Sequence, residues 1–366
     1  MPIPLLVIDL PAVLRYVVEQ GASDLHIKVG SPPRIRVNGD LRVAPFPAIV
    51  PGECDELVKA VLPPERLEEF NATGEADFSL SVSGLGRFRC NAFRQRGTAG
   101  LVLRRVVPRA LSATDLGLPP VVTRLAEEQR GLVLVTGPTG CGKTTTLAAM
   151  IDHINNTRAA NIITIEDPIE VLHRDKMSII SQREIGTDTR DWPQALRRLL
   201  RQDPDVILIG EMRDTETASS ALSAAETGHL VLSTLHTTNA TETINRIVDF
   251  FPPFQQRQVR ITLASVLRGV ISQRLVPRSD GIGRVVAVEA MVTTGRISDR
   301  ILDPSSGSGE TIEDIIAEGE YHGMVTFDQS LFNLFKAGEI SLRAALQAAT
   351  NPHDFRVALQ AAGLLP

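Results

Sequence analysis

Gly137-Pro138-Thr139-Gly140-Cys141-Gly142-Lys143-Thr144 is a full GxxxxGKT run, with Thr145 following. Glycines at these spacings let the backbone curl until successive N–H groups face one point. A helix starting at Thr144 adds its partial positive charge, and the product is a cradle for phosphate. In such a cradle Lys143 reaches the β- and γ-phosphates of ATP and the Thr144 hydroxyl is a ligand for Mg²⁺. Cys141 reads as a small spacer inside the loop rather than a nucleophile. Hydrolysis needs a second half, and Asp205-Val206-Ile207-Leu208-Ile209-Gly210-Glu211 offers one, an apolar strand ending in a carboxylate that can orient or deprotonate water. Gly210 stands where many P-loop enzymes place an Asp, so Mg²⁺ must rely on Thr144, the phosphates and waters. A further strand, Asn161–Ile165, ends in Glu166-Asp167-Pro168-Ile169-Glu170. Adjacent carboxylates at the C-terminal end of a parallel strand face the ligand crevice of an open α/β sheet, and Glu166 is expected to assist Glu211. His229 and His236 bracket the run Leu230–Leu235 and so fall at opposite ends of a strand, which argues against a shared metal site. His236 lies at the catalytic edge, where it can sense the γ-phosphate.

These residues need a scaffold that brings strand ends together. Leu132–Val135, Ile162–Ile165, Val206–Ile209 and Leu230–Leu235 are unbroken apolar runs rich in β-branched residues and separated by helical stretches. That is the pattern of parallel strands buried on both faces, hence a doubly wound α/β core. Upstream the texture differs. A helical stretch over Val13–Gln20 precedes the period-two segments Asp24–Val29 and Arg34–Gly39, and Asn38-Gly39 is a hairpin signal before Leu41–Val43. Ala76–Val82, Gly86–Phe93 and Gly100–Val107 read as further strands of a small α+β module. The expected organisation is an N-terminal domain over 1–108, a linker over 109–118 rich in punctuating residues, an ATPase core over 119–274 and a mainly helical region over 275–366, with a Ser/Gly loop at Ser305–Gly309.

Composition narrows the class. The 366 residues are 43% hydrophobic and 22% charged with a formal charge of −5, a globular balance without the basic footprint of a nucleic-acid binder. Three scattered cysteines offer neither a disulfide framework nor a zinc clip. The apolar start Leu5-Leu6-Val7-Ile8 is interrupted by Asp9 and Pro11 and has no basic region before it, so it is not expected to be a signal peptide. No uninterrupted apolar run reaches the ~18 residues a membrane span requires.

Taken in chain order, the phosphate loop, the box Ile165–Glu170, the strand leading to Gly210-Glu211-Met212-Arg213-Asp214 and the two-histidine box resemble those of the secretion ATPase superfamily, which powers type II secretion and type IV pili. Within it the chain is similar to the PilT family of retraction (twitching-motility) ATPases, from about Ser23-Asp24-Leu25-His26 to Thr326–Leu331. It lacks the four-cysteine zinc insert of the assembly and export branches. The resemblance implies a RecA-like ATPase core, a PAS-like N-terminal domain and a helical C-terminal part. It also implies a cytoplasmic homohexamer, peripheral at the inner face of the cytoplasmic membrane, that acts on a pilus platform protein without inserting into the bilayer or binding nucleic acid. It further implies an arginine supplied to a neighbouring subunit's site, matched here by Arg104; Arg96 matches only with a one-residue gap, and Arg213 and Arg246 also fall on family positions. Where retraction ATPases carry an Ala-Ile-Arg-Asn-Leu-Met-like stretch, this chain has Arg296-Ile297-Ser298-Asp299-Arg300-Ile301. An assembly or secretion ATPase of the same fold, an accessory nucleotide-binding ring subunit and a nucleic-acid translocase remain as alternatives.

Overall fold

The computed structural model describes residues 8–304 and 309–365; the apolar stretch at 5–7 and most of the Ser/Gly loop lie outside them. Packing divides the chain into two units, 1–109 with 168–172 and 110–167 with 173–366.

The N-terminal unit contains α1 (Leu10–Glu19), β1 (Asp24–Lys28), β2 (Arg34–Val37), β3 (Asp40–Val43), α2 (Glu53–Val61), α3 (Pro64–Thr73), β4 (Glu75–Val82), β5 (Gly86–Gln95) and β6 (Thr98–Arg105). The strands form one antiparallel sheet in the order β3-β2-β1-β6-β5-β4. Asp9 starts α1 by accepting from the Ala12 N–H at 3.0 Å, with Pro11 in the first turn, where a missing N–H costs nothing. Asn38 at φ 50° and Gly39 at φ 90° make the tight turn between β2 and β3 that the Asn-Gly pair predicts. Alternate residues of the sheet (Leu25, Ile27, Leu101, Leu103, Phe88, Cys90 and Ala92) are buried in one apolar core. Directly paired residues share a face, so the register sets Arg36, Asp24, Arg104 and Arg89 in one row across β2, β1, β6 and β5 on the opposite face. The unit is completed from mid-chain: Val171 bridges Val107, the Leu172 N–H donates to the Val107 carbonyl, and Glu170 lies 3.5 Å from the Arg89 guanidinium.

The second unit begins with α4 (Pro120–Ala126), β7 (Gly131–Thr136), α5 (Lys143–Thr157), β8 (Asn161–Glu166), β9 (Ile179–Glu184), α6 (Trp192–Leu199), β10 (Val206–Ile209), α7 (Thr215–Glu226) and β11 (Leu230–Leu235). It continues with α8 (Ala240–Asp249), α9 (Pro253–Val266), β12 (Leu267–Pro277), β13 (Arg284–Val292), α10 (Gly295–Leu302), α11 (Ile312–Glu318), α12 (Phe327–Lys336), α13 (Leu342–Ala348) and α14 (Pro352–Ala361). The sheet order is β13-β12-β7-β11-β10-β8-β9, with β13 antiparallel and every other pairing parallel. β7 shows why its run is unbroken in apolar residues: Leu132 and Leu134 join one core while Val133 and Val135 join the core on the other side. Residue 274, where the core is expected to end, falls inside β12, and β13 returns beside it, so 275–277 and 284–292 are strand. Helices follow from α10 onward, and Phe327, Leu331, Phe355 and Leu359 form a small core with Val276 and Ala287 of the two outer strands.

Candidate nucleotide-hydrolysis site

The phosphate loop joins β7 to α5. Gly137 has φ 140°, and a Cβ there would lie 2.5 Å from the Gln273 carbonyl and 2.6 Å from the Cys141 sulfur, so no side chain fits the first turn of the loop. At Gly140 and Gly142, with φ of 78° and 95°, a Cβ would meet nothing within 4 Å, so the left-handed backbone rather than crowding calls for glycine there. Gly142, the residue before α5, makes no side-chain cap bond, and a helix N-terminus favours an anion. Lys143 is buried, and its ammonium donates to the carbonyls of Gly137 at 2.8 Å and Pro138 at 3.3 Å. Thr144 is half-buried, Thr145 exposed, and Thr146 buried where its hydroxyl accepts from the Gln273 side-chain amide at 2.7 Å. Burial raises the Cys141 thiol above its ordinary range although Lys143 opposes the shift, which suits a spacer and not a nucleophile.

The tips of the neighbouring strands bring the other groups in. Lys143 Nζ lies 3.4 Å from His236 Nδ1, and His236 Nε2 lies 3.1 Å from Glu211 Oε1. An ammonium can only donate, so Nδ1 is the acceptor and the ring proton sits on Nε2, on the side facing Glu211. The second Glu211 oxygen accepts from Arg213 Nε at 2.8 Å, and Arg213 reaches within 3.9 Å of Asp167. Lys143, His236, Glu211, Arg213 and Asp167 therefore form one chain of contacts across the ends of β7, β11, β10 and β8. Hydrogen bonding to Glu211, followed by the two carboxylate charges, holds Arg213 protonated above its ordinary range despite partial burial. Gly210 donates its N–H to the Ile165 carbonyl, and a Cβ there would come within 3.2 Å of that oxygen; an Asp at this position would be crowded against β8. The Thr234 hydroxyl donates to the Gly210 carbonyl at 2.7 Å and locks β11 to β10 just before the functional residues.

Glu166 is buried, and its Oε1 accepts from the Thr164 hydroxyl at 2.7 Å and the Gln182 amide at 3.1 Å. Asp167, rather than Glu166, is the carboxylate of this box that lies beside Arg213. His229 lies at the start of β11, where its Nδ1 is 2.9 Å from the Ala224 carbonyl, one strand length from His236. Arg104 belongs to the N-terminal unit: its Nε donates to Asp24 Oδ1 at 2.7 Å while its side chain stays 67% exposed. Arg96 forms the left-handed turn between β5 and β6, and Arg246 of α8 stacks on Phe250, the residue that ends that helix. Gln273 escapes the sequence as a site-supporting group, and Asp167 is legible there only as the crevice-facing neighbour of Glu166. The signal available for Gln273 was a polar pair, Ser272-Gln273, inside an otherwise apolar strand.

Nucleotide phosphates fit the glycine-rich loop, the N-terminal end of α5 and Lys143. Among the described residues no group of three or more His, Cys, Asp or Glu could hold a metal by itself. Mg²⁺ takes few protein ligands and keeps phosphate and water oxygens, so the Thr144 hydroxyl beside a phosphate cradle is a donor set that suits it.

Residues 4–299 match the family described as type II/IV secretion system protein. The chain is 45% identical over 347 residues to the type IV pilus retractation ATPase PilT of Pseudomonas aeruginosa, covering 95% of this chain and 100% of that protein. It is 40% identical to the type IV pilus ATPase PilU of the same organism, covering 95% of this chain and 90% of that one. Among solved structures, the pilus retraction motor PilT with bound ADP superposes with a TM-score of 0.84 at 44% identity, covering 93% of this chain and 97% of that one. The Legionella pneumophila ATPase DotB does so at 0.79 and 28%, covering 94% and 96%. With the phosphate loop, the Glu211 strand and the histidine box in one site, the chain belongs to the type II/IV secretion system protein family.

Proposed function

We propose that this protein is an ATP-hydrolysing motor that drives retraction of a type IV pilus. The observation that carries the chemistry is the contact chain from Lys143 through His236 to Glu211, which ties the phosphate-holding lysine to the water-positioning carboxylate. The loop N–H groups and Lys143 hold the phosphates. Lys143 leaves the Gly137 and Pro138 carbonyls for the β- and γ-phosphates, and His236, losing its lysine partner, registers the γ-phosphate while keeping Glu211 in place. Glu211 exchanges Arg213 for the attacking water, and removal of a proton from that water at the carboxylate is general-base catalysis. Glu166 supports the strand tip from its bonds to Thr164 and Gln182. Thr144 is the residue that would hold Mg²⁺, and the ion would supply neutralisation of phosphate charge. Arg104 serves the site of an adjacent subunit in a homohexamer, and the ring acts on a platform protein at the inner face of the cytoplasmic membrane. No helix among the described residues is long and apolar enough to cross a membrane, so the membrane connection runs through that partner. The direction of work rests on the similarity to PilT over 95% of the chain.

A second reading, an accessory pilus ATPase, is favoured by α10. That helix buries Ile297 and Ile301 and presents Arg296 to the Glu310 and Glu318 carboxylates, in place of the retraction-type sequence. Two experiments test the proposal. The purified protein turns over ATP, and deleting the gene leaves pili assembled but unable to shorten. Cells without surface pili would mean an assembly motor; pili that still shorten, more weakly, would mean the accessory role.

A further inference from the structure

Glu289 is a carboxylate in the middle of β13, 4% exposed, in a strand whose flanking residues Val288, Ala290 and Met291 are buried. Its place in the sheet is informative. Leu235 of β11 pairs with Thr136 of β7, Thr136 with Ser272 of β12, and Ser272 with Glu289. The row begins one residue before His236 and passes through the last strand residue before the phosphate loop. Its polar members are all buried, and the Thr136 hydroxyl donates to the Ser272 hydroxyl at 2.9 Å.

From the end of this row the Glu289 carboxylate reaches the helix that follows the histidine box. Its Oε1 accepts from the Ala240 N–H at 2.8 Å, the first helical N–H of α8. Beyond His236, which contacts Lys143 and Glu211, residues 237–239 are tied to α8: Thr237 to Thr243 at 2.7 Å, Thr238 to Glu242 at 2.8 Å and Asn239 to Glu242 at 2.8 Å. These bonds fix the shape of the turn; the bond to Glu289 fixes where the turn stands relative to the sheet that carries the phosphate loop. We propose that Glu289 is a positioning residue for ATP hydrolysis, holding the start of α8, and through it His236, in register with Lys143 and Glu211.

The charge on this group matters because a carboxylate at a helix N-terminus accepts a stronger bond than a neutral acid does. Burial pushes Glu289 up to about 7, helped by the Glu313 and Asp328 carboxylates of α11 and α12 and opposed by the Ala240 N–H and by Arg274 of β12. Glu289 therefore gains its charge near neutrality. The sign for folding is opposite to the sign for activity. A carboxyl whose acidity is weakened in the fold contributes stability that is present below its unfolded value, near 4.5, and is lost as pH rises through about 7. Over the same window the ionised form tightens the hold on α8.

This inference rests on the ATPase reading, and its failure is distinguishable: a wild-type protein without ATP turnover sinks that reading, whereas unchanged variants sink only this role. The experiment compares full-length wild type, Glu289→Ala and Glu289→Gln from pH 6 to 8, measuring kcat, KM for ATP and thermal midpoints. Leaving the buried Ala240 N–H unpartnered lowers kcat of Glu289→Ala roughly tenfold, the scale of an unmade buried hydrogen bond, with KM unchanged. Glu289→Gln keeps an acceptor of the same shape. It matches wild type near pH 6, lacks the wild-type rise in kcat toward pH 8, and gains in melting temperature relative to wild type over the same range. A Glu289→Gln activity profile that superimposes on the wild-type profile overturns the proposal, as does a loss of ATP affinity in Glu289→Ala that accounts for its whole deficit. If Glu289→Ala does not fold, the Gln profile decides alone.

Discussion

In the ATPase unit the charged groups around the phosphate loop stand at the ends of strands buried on both faces, whereas in the N-terminal unit the row through Arg104 stands along one face of a sheet whose other face is buried. The difference sets how each group is held. Lys143, Glu211 and His236 take their positions from backbone that four apolar strands keep rigid, and from one another. Arg104 projects from an exposed face and takes its direction from a single buried partner, Asp24, which the Ser23 hydroxyl and Arg104 keep ionised below its ordinary range against the opposing effect of burial. A rigid edge suits chemistry that must not move. An exposed arginine with one anchor suits a group that is presented to something else.

The largest effect that would sharpen this contrast is at Arg104. Acting on a neighbouring site, its removal in Arg104→Ala lowers ATP turnover by roughly 10³–10⁵-fold, the scale of an arginine finger, with ATP binding retained. Mixing those subunits with Glu211→Gln subunits restores part of the activity, because some interfaces regain both groups. A mixed ring with no recovery would place Arg104 outside the site. Next in size, Glu211→Gln lowers turnover by roughly 10²–10⁴-fold at unchanged nucleotide affinity, whereas Lys143→Ala loses the affinity itself; equilibrium binding of a fluorescent ATP analogue separates the two. Wild-type turnover in Glu211→Gln would move the base elsewhere. The smallest effect concerns the scaffolds. Leu134→Ala, at a fully buried position of β7, costs about 2–5 kcal/mol. Val43→Ala, 56% exposed at the edge of the N-terminal sheet, stays within about 0.5 kcal/mol. Equal losses in chemical denaturation would erase the distinction between the two sheets.

The same contrast explains what was legible in the sequence. β7, β8, β10 and β11 are readable because strands buried on both faces leave continuous apolar runs, and the phosphate loop because few backbones other than that one need its glycines. β9 is an edge strand with an exposed Ile179 and alternating burial, and its run Ile179–Glu184 carries no such signature. β13 hides for another reason: Glu289 interrupts its apolar run, and a buried carboxylate has no sequence signal separate from a solvated one. Arg213 beside Glu211 was visible as a residue of the motif, but its contact with Asp167 depends on two strand tips lying side by side. The anchoring of Arg104 by Asp24 is invisible without the register of β1 against β6, since the residues are far apart in the chain.

The short stretch 168–172, which leaves the end of β8 and completes the N-terminal unit, has a consequence for how the chain can be cut. The polypeptide passes between the units after residues 109, 167 and 172. A single protease nick near 109 therefore yields two fragments, but the first still lacks the piece that pairs with Val107 and faces Arg89. Expressed as residues 1–109 alone, the N-terminal unit would leave the Val107 carbonyl without its donor and Arg89 without Glu170. A faithful excision must graft 168–172 back on, which makes the acidic box a hem stitched into both halves of the garment.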